Sequence, residues 1–185
     1  MAVTSTVGAI ASIAGARPIP DATLGEERSQ VIPQDAWSDR IEGGAIRGTN
    51  LFHSFVEFSV DDGRSVYFGN PVGIERILSR VTGTNESNIF GTLGVDGTAD
   101  LFLLNPNGIV FGPNARLDVA GSFVASTADR ILFADNQMFS TVEPELPSLL
   151  TINVPTGLQY GSASRTGDGL WIIDPLDITI DTTTA

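Results

Sequence analysis

Cysteine and lysine are both missing from this 185-residue chain, and histidine occurs once, at position 53. Without cysteine there is no disulfide scaffold, no redox pair, no iron–sulfur cluster and no zinc site built on thiolates. One histidine is too few for a His-Glu-x-x-His metalloprotease. The absence of lysine removes the P-loop and the Ser-x-x-Lys acyl-enzymes, since each needs that ammonium. All ten basic residues are arginine against 22 acidic ones, a net charge of −12. Such a surface opposes DNA, RNA and anionic membranes, so no nucleic-acid partner is expected. No run of eighteen apolar residues is present, and membrane insertion as a helix is not expected either. Charged residues make up only 17%, below the usual quarter.

What is present is apolar and rich in turn formers. Hydrophobic residues are 42%, mean hydropathy is +0.14, and there are 20 glycines. This composition suits one domain of many short strands joined by tight turns. At the N-terminus, Val7 to Ala14 is a small-residue apolar run, and Ala14-Gly15-Ala16 has the shape a signal peptidase accepts. The basic residues that normally precede such a run are missing, so residues 1–16 read as the remnant of a signal peptide that starts upstream. From Leu51 the chain alternates, with Phe52, Ser54, Val56, Phe58 and Val60 on one face and His53, Glu57 and Ser59 on the other. Asp61-Asp62-Gly63 followed by Ser65 to Phe68 predicts a β-hairpin. Ile74, Ile77, Leu78 and Val81 carry helical spacing between turn formers, which predicts at most one helical turn near Gly73 to Arg76 and then a strand over Ile77 to Val81.

Between Ile89 and Phe133 apolar clusters recur. Leu101-Phe102 returns as Phe123-Val124 and Ile109-Val110-Phe111 as Ile131-Leu132-Phe133, both 22 positions on; Val95-Asp96-Gly97 returns as Val119-Ala120-Gly121, 24 positions on. Periods of this size mark solenoids. With no room for helices between strands, each period is one coil of a parallel β-helix, stacked at roughly 4.8 Å with Leu, Ile, Val and Phe inside. An antiparallel sandwich also makes short strands with glycine turns and remains open on the pattern alone. Asn105-Pro106-Asn107-Gly108 places Asn, Pro and Gly where a type I turn wants them, and Gly112-Pro113-Asn114 is a second turn of that chemistry.

Parallel β-helices also host enzymes that cleave polysaccharides with paired carboxylates. Asp96 with Asp118 on adjacent coils, and Asp61 with Asp62, are the candidates, but these are turn positions where Asp caps backbone. Asp61, Asp62, Asp96 and Asp100 are the candidate calcium ligands, although no loop has EF-hand or nonapeptide spacing. Gly63 to Tyr67 misses the nucleophile elbow, because Tyr67 stands where glycine is required. His53 reads as a packed or hydrogen-bonded strand histidine. Trp37, Tyr67, Tyr160 and Trp171 are too scattered for a sugar-stacking platform. The expected protein is not an enzyme and carries no metal or cofactor.

A run of motifs in fixed order carries a resemblance. Gly48 to Phe55 (Gly-Thr-Asn-Leu-Phe-His-Ser-Phe), Asn70-Pro71, Ile77 to Gly83, Ser87 to Ile89, Gly91 to Leu93 and Ala99-Asp100 lead into Leu103 to Ile109 (Leu-Leu-Asn-Pro-Asn-Gly-Ile). Phe111 to Leu117 and Gly121 to Ser126 follow. The chain resembles the N-terminal secretion domain of the filamentous haemagglutinin family of two-partner secretion exoproteins, in the manner of its cyanobacterial members. The likeness implies an all-β, right-handed parallel β-helix with an N-terminal cap and extra-helical β-hairpins, over residues 17–161. It also implies an export signal recognised by the periplasmic POTRA domains of an outer-membrane β-barrel transporter, with folding outside the cell, a surface or secreted destination and an adhesin or haemagglutinin role. Cell-surface or glycan ligands go with that role, and a glycan-binding adhesin in its own right is the alternative. The family's two Asn-Pro turns supply the candidate site: Asn70 and Pro71 of the first, followed here by Val72-Gly73 in place of Asn-Leu, and Asn105, Pro106, Asn107, Gly108 and Ile109 of the second, which is intact. Residues 162–185 read as a polar linker and a short tail resembling a later exoprotein segment, as a shortened or internally deleted gene would leave.

Overall fold

A computed structural model describes residues 16–144 and 150–160, and the backbone of 170–173. The expected leader, but for Ala16, and most of the expected linker and tail lie outside those residues. The described chain is β throughout, apart from one 3-10 turn at Gly25–Glu27. Stacked parallel strands wind it into a β-solenoid of about four turns.

Three faces build each coil. The first contains β3 (Ser38–Gly43), β6 (Ser65–Gly69), β9 (Thr92–Asp96) and β12 (Arg116–Asp118), all parallel. The second contains β5 (Asn50–Glu57), β7 (Arg76–Val81), β10 (Asp100–Leu104) and β13 (Phe123–Ser126), also parallel. The third is shorter: a bridge from Val60 to Ile89 and the pair β8 (Ser87–Ile89) with β11 (Ile109–Phe111). Like side chains stack in columns through the interior, with Leu51, Ile77, Leu101 and Phe123 in one register and Val66, Leu93 and Leu117 in another. Each rung buries its apolar residues only against its neighbours, and the inner core is therefore continuous.

Antiparallel strands close the N-terminal end. β2 (Ser29–Pro33) covers the free edge of β3, while β1 (Ile19–Pro20) and β4 (Ala45–Arg47) pair with β5. Prolines 20 and 33 occupy these outer strands, where a missing N–H costs no ladder bond. A separate three-stranded sheet, β14 (Arg130–Phe133) flanked by β15 (Met138–Ser140) and β16 (Pro155–Gln159), stands outside the solenoid. β17 (Leu170–Ile173) runs antiparallel to β13.

Two expectations are corrected, and the one for Gly73 to Val81 resolves into a turn and the expected strand. No hairpin joins residues 51–60 to 65–68: the Asp-Gly turn forms, with the Arg64 N–H donating to the Asp61 carbonyl at 3.0 Å, but it is a corner between two faces. β5 pairs with β7 of the next coil, and β6 with β3 and β9, because Phe58 and Val60 fill the short third face between them. The helical spacing of Ile74 to Val81 arises from an ordinary turn, Pro71 carbonyl to Ile74 N–H, followed by β7, with Leu78 facing away from the other three. The correspondence of 109–111 with 131–133 also fails. Leu101 does lie opposite Phe123 as the 22-residue shift requires, but after Ser126 the chain leaves the solenoid, and Ile131 and Phe133 pack on its outside.

Candidate functional site

The two Asn-Pro segments sit at different corners. Asn70 follows β6 where the first face turns into the second, and Asn105 follows β10 where the second turns into the third. The structure does not bring them together. It gives them the same task in opposite directions along the stack.

Asn70 reaches forward. Its Nδ2 donates to the carbonyl of Ile74 at 3.0 Å in its own corner, and its Oδ1 accepts from the N–H groups of Thr98 and Ala99 at 3.0 and 3.1 Å in the next coil. The contact is so close that a Cβ on Gly97 would lie 2.1 Å from Asn70 Oδ1, which fixes glycine there. Asn105 and Asn107 reach backward. Asn105 is fully buried, and its Nδ2 donates to the carbonyl of Asn85 and to Ser87 Oγ at 3.0 and 2.9 Å. Its Oδ1 accepts the Asn107 N–H at 2.9 Å, and Asn107 Nδ2 donates to the carbonyl of Gly83 at 2.8 Å. Gly108 closes the turn by donating its N–H to the Asn105 carbonyl at 3.1 Å, and Ile109 begins β11 against the inner core. Corner backbone that no ladder satisfies is thus paired by side chains, as buried polar groups require. The outward element of the first segment is different: Val72 is fully exposed at the tip, beside Gly73 at φ +88°.

The candidate carboxylates are each engaged by another side chain or by backbone. Asp96 pairs with Arg40, while Asp118 accepts the Tyr67 hydroxyl at 2.8 Å. Burial and the Asp118 carboxylate together push that phenol up to about 12. Asp61 accepts the Ala16 N–H at 2.6 Å, Asp62 bonds Asn114 at 3.2 Å, and Asp100 caps the Ser122 N–H at 2.8 Å. His53 is fully buried inside the first coil, its Nδ1 3.0 Å from Ser29 Oγ, and burial pushes its pKa down to about 3. Among the described residues no group of acids and histidines is placed to hold a metal ion, and no helix is long and apolar enough to cross a membrane.

One cluster escaped sequence reasoning. Arg80 and Asp21 lie at the centre of a buried polar site on the outer side of the second face, joined through Ser54, Thr23 and Thr82. The signal was available: an arginine inside an otherwise apolar strand, Ile77-Leu-Ser-Arg-Val81. Its partners were not legible, because they come from three distant segments. Likewise Asp39, buried at the end of an inward column, is held by Arg17 and Arg64. Burial works against its charge, but those two guanidinium groups prevail and keep its pKa below the usual range.

Fold and corners together define a class, a capped parallel β-solenoid held in register by side-chain staples. The model of the TPS secretion domain matches residues 16–170, and the chain belongs to that family. It is the TPS secretion domain of a two-partner secretion exoprotein, a domain type that works with an outer-membrane transporter and implies secretion. It is also similar to the heme/hemopexin-binding protein of Haemophilus influenzae, 35% identical over 79 residues, which are 43% of this chain and 8% of that protein.

Proposed function

We propose that residues 17–161 form the export signal of the exoprotein. In the periplasm the extended chain is recognised by the POTRA domains of its outer-membrane transporter, and it folds as a solenoid once outside, at the cell surface or in the medium. The family match over 16–170 carries this reading. Physical chemistry supports it: with no cysteine, no disulfide obstructs threading, and coil-by-coil stacking beyond the pore opposes return without any nucleotide. An extended segment also offers unpaired backbone to a sheet edge of the transporter. The released exoprotein has an adhesin or haemagglutinin role and is not an enzyme. Heme or hemopexin binding is not carried over, because the likeness covers 8% of the protein so named.

In this reading Asn70, Asn105 and Asn107 set coil register, Pro106, Gly108 and Ile109 shape the second corner, and Pro71 with Val72 offers an exposed contact. The test is a pull-down of the chain with a purified POTRA pair, beside secretion of a variant deleted for residues 105–109. Capture of the parent chain and loss of export by the deletion are expected. Unchanged export with an unchanged circular dichroism spectrum in the deletion would overturn the reading.

A further inference from the structure

Arg80 points away from the solenoid interior, between Ser54 and Leu104 in its column, and yet it is only 3% exposed. Its guanidinium has four hydrogen-bond partners from three segments. Nε donates to Ser54 Oγ at 2.9 Å, Nη1 to the Ser140 carbonyl at 2.6 Å, and Nη2 to Thr23 Oγ1 and the Pro144 carbonyl at 2.9 Å each. The plane lies over the Phe139 ring, 4.4 Å from its centroid. The balancing charge is Asp21, which does not touch Arg80 but accepts from the hydroxyls of Ser54, Thr23 and Thr82 at 2.7, 2.6 and 2.7 Å. The arginine thus reaches 57 residues back to the cap and 60 to 64 residues forward to the outer sheet.

We propose that Arg80 is a positioning residue that latches cap, coils and outer sheet into one cooperative unit, so that the outer layer closes only when residues 139–144 have joined. The geometry makes the latch conditional. Two of the acceptors are backbone carbonyls of the outer sheet's own chain, and the ring that covers the guanidinium is on β15. Before that segment arrives the arginine is hydrated and Phe52 and Leu78 lie open; after it arrives the fork is satisfied and desolvated in a single step. Stacking of the inner columns needs no such distant partner. For export, and here the inference rests on the reading above, the latch leaves the domain unlocked until most of it has been delivered.

The test is native-state hydrogen exchange on the purified full chain, without a transporter, so failure of the export reading leaves it untouched. Three amides report the three parts: Asp21 bonded to the Ser54 carbonyl, Thr82 to that of Phe55 and Thr141 to that of Asp129. In the parent chain all three open together. In Arg80→Met, Thr141 exchanges roughly tenfold or more faster relative to Thr82, as loss of hydrogen bonds to a charged group implies. Should the Met variant not fold, Arg80→Lys, which keeps the charge and loses the fork, carries the same expectation. Independent opening of the three amides in the parent chain, or an equal acceleration of all three in the variant, would overturn the latch.

Discussion

Two apolar cores lie back to back across the second face, and they are assembled in different ways. The inner one is built from residues one coil apart, with Leu51, Ile77 and Leu101 in a single column. The outer one joins Phe52 and Leu78 on the coils to Leu24 and Ala45 of the cap and to Ile131, Phe133 and Phe139 of the separate sheet. Phe52 meets Phe139 edge-on at 5.0 Å and Phe133 at 6.1 Å. The inner core can grow rung by rung, whereas the outer core needs the two ends of the domain at once. Addition of coils gives the solenoid its length; closure of the outer layer gives it a defined beginning.

The two cores are distinguished most readily at two phenylalanines on one strand. Phe52→Ala in the outer core and Phe55→Ala in the inner core are each expected to cost about 3–5 kcal/mol in chemical denaturation. Only the inner change should leave the outer sheet opening together with the coils, as read by exchange at Thr141. Equal behaviour of the two variants would erase the distinction between the cores.

Next come the corners. Asn105→Ala leaves the buried Ser87 Oγ without its donor and removes the half-buried bonds to the Asn85 carbonyl and Asn107 N–H; it is expected to cost about 1–3 kcal/mol, seen as a lower urea midpoint. Asn70→Ala, in the more open corner, should fall at the lower end of that range. A reversed order would mean that burial does not set the strength of these staples.

The two cores also respond differently to acid. The unfolded chain binds a proton at His53 near pH 6.5, whereas the folded one resists until about 3. The stability that neutral His53 contributes is therefore complete above 6.5 and drains away as pH falls from 6.5 towards 3. In the outer core, burial works against the charge of Asp21, but donors from Thr23, Thr82 and Ser54 prevail and hold its pKa below the usual value. Its contribution is present above the ordinary aspartate range and is lost as pH falls through the lowered pKa. Melting temperature against pH should show the first decline in the parent chain, and His53→Leu should flatten it. Asp21→Asn should remove the later decline at Thr141 more than at inner-core amides. Smallest of all, Val72→Ser is expected to change stability by less than about 0.5 kcal/mol, because the side chain touches nothing; its effect should appear in transporter binding.

The inner core was the legible part of the sequence. Stacked coils repeat, so the shift from Leu101 to Phe123 can be found in one chain by inspection. The repeat is nonetheless irregular, running from Leu51 to Ile77 to Leu101 to Phe123 in steps that shorten along the stack. That drift hid the earlier coils and lent a hairpin look to Asp61-Asp62-Gly63. Turn chemistry at Asn105 to Gly108 could be read locally, but the carbonyls it serves, at Gly83 and Asn85, could not. The outer core was silent for the same reason. Arg80 has no local motif, and the meaning of Ile131 and Phe133 depends on which side of a sheet they reach after the chain leaves the solenoid.

The most direct test of the whole account is fractionation of cells producing this chain with and without its transporter, followed by limited proteolysis of whatever reaches the medium or cell surface. The chain is expected to leave the cell only when the transporter is present and, once outside, to resist protease across residues 17–144. Retention beside a working transporter, or arrival outside in a uniformly protease-sensitive form, would contradict it.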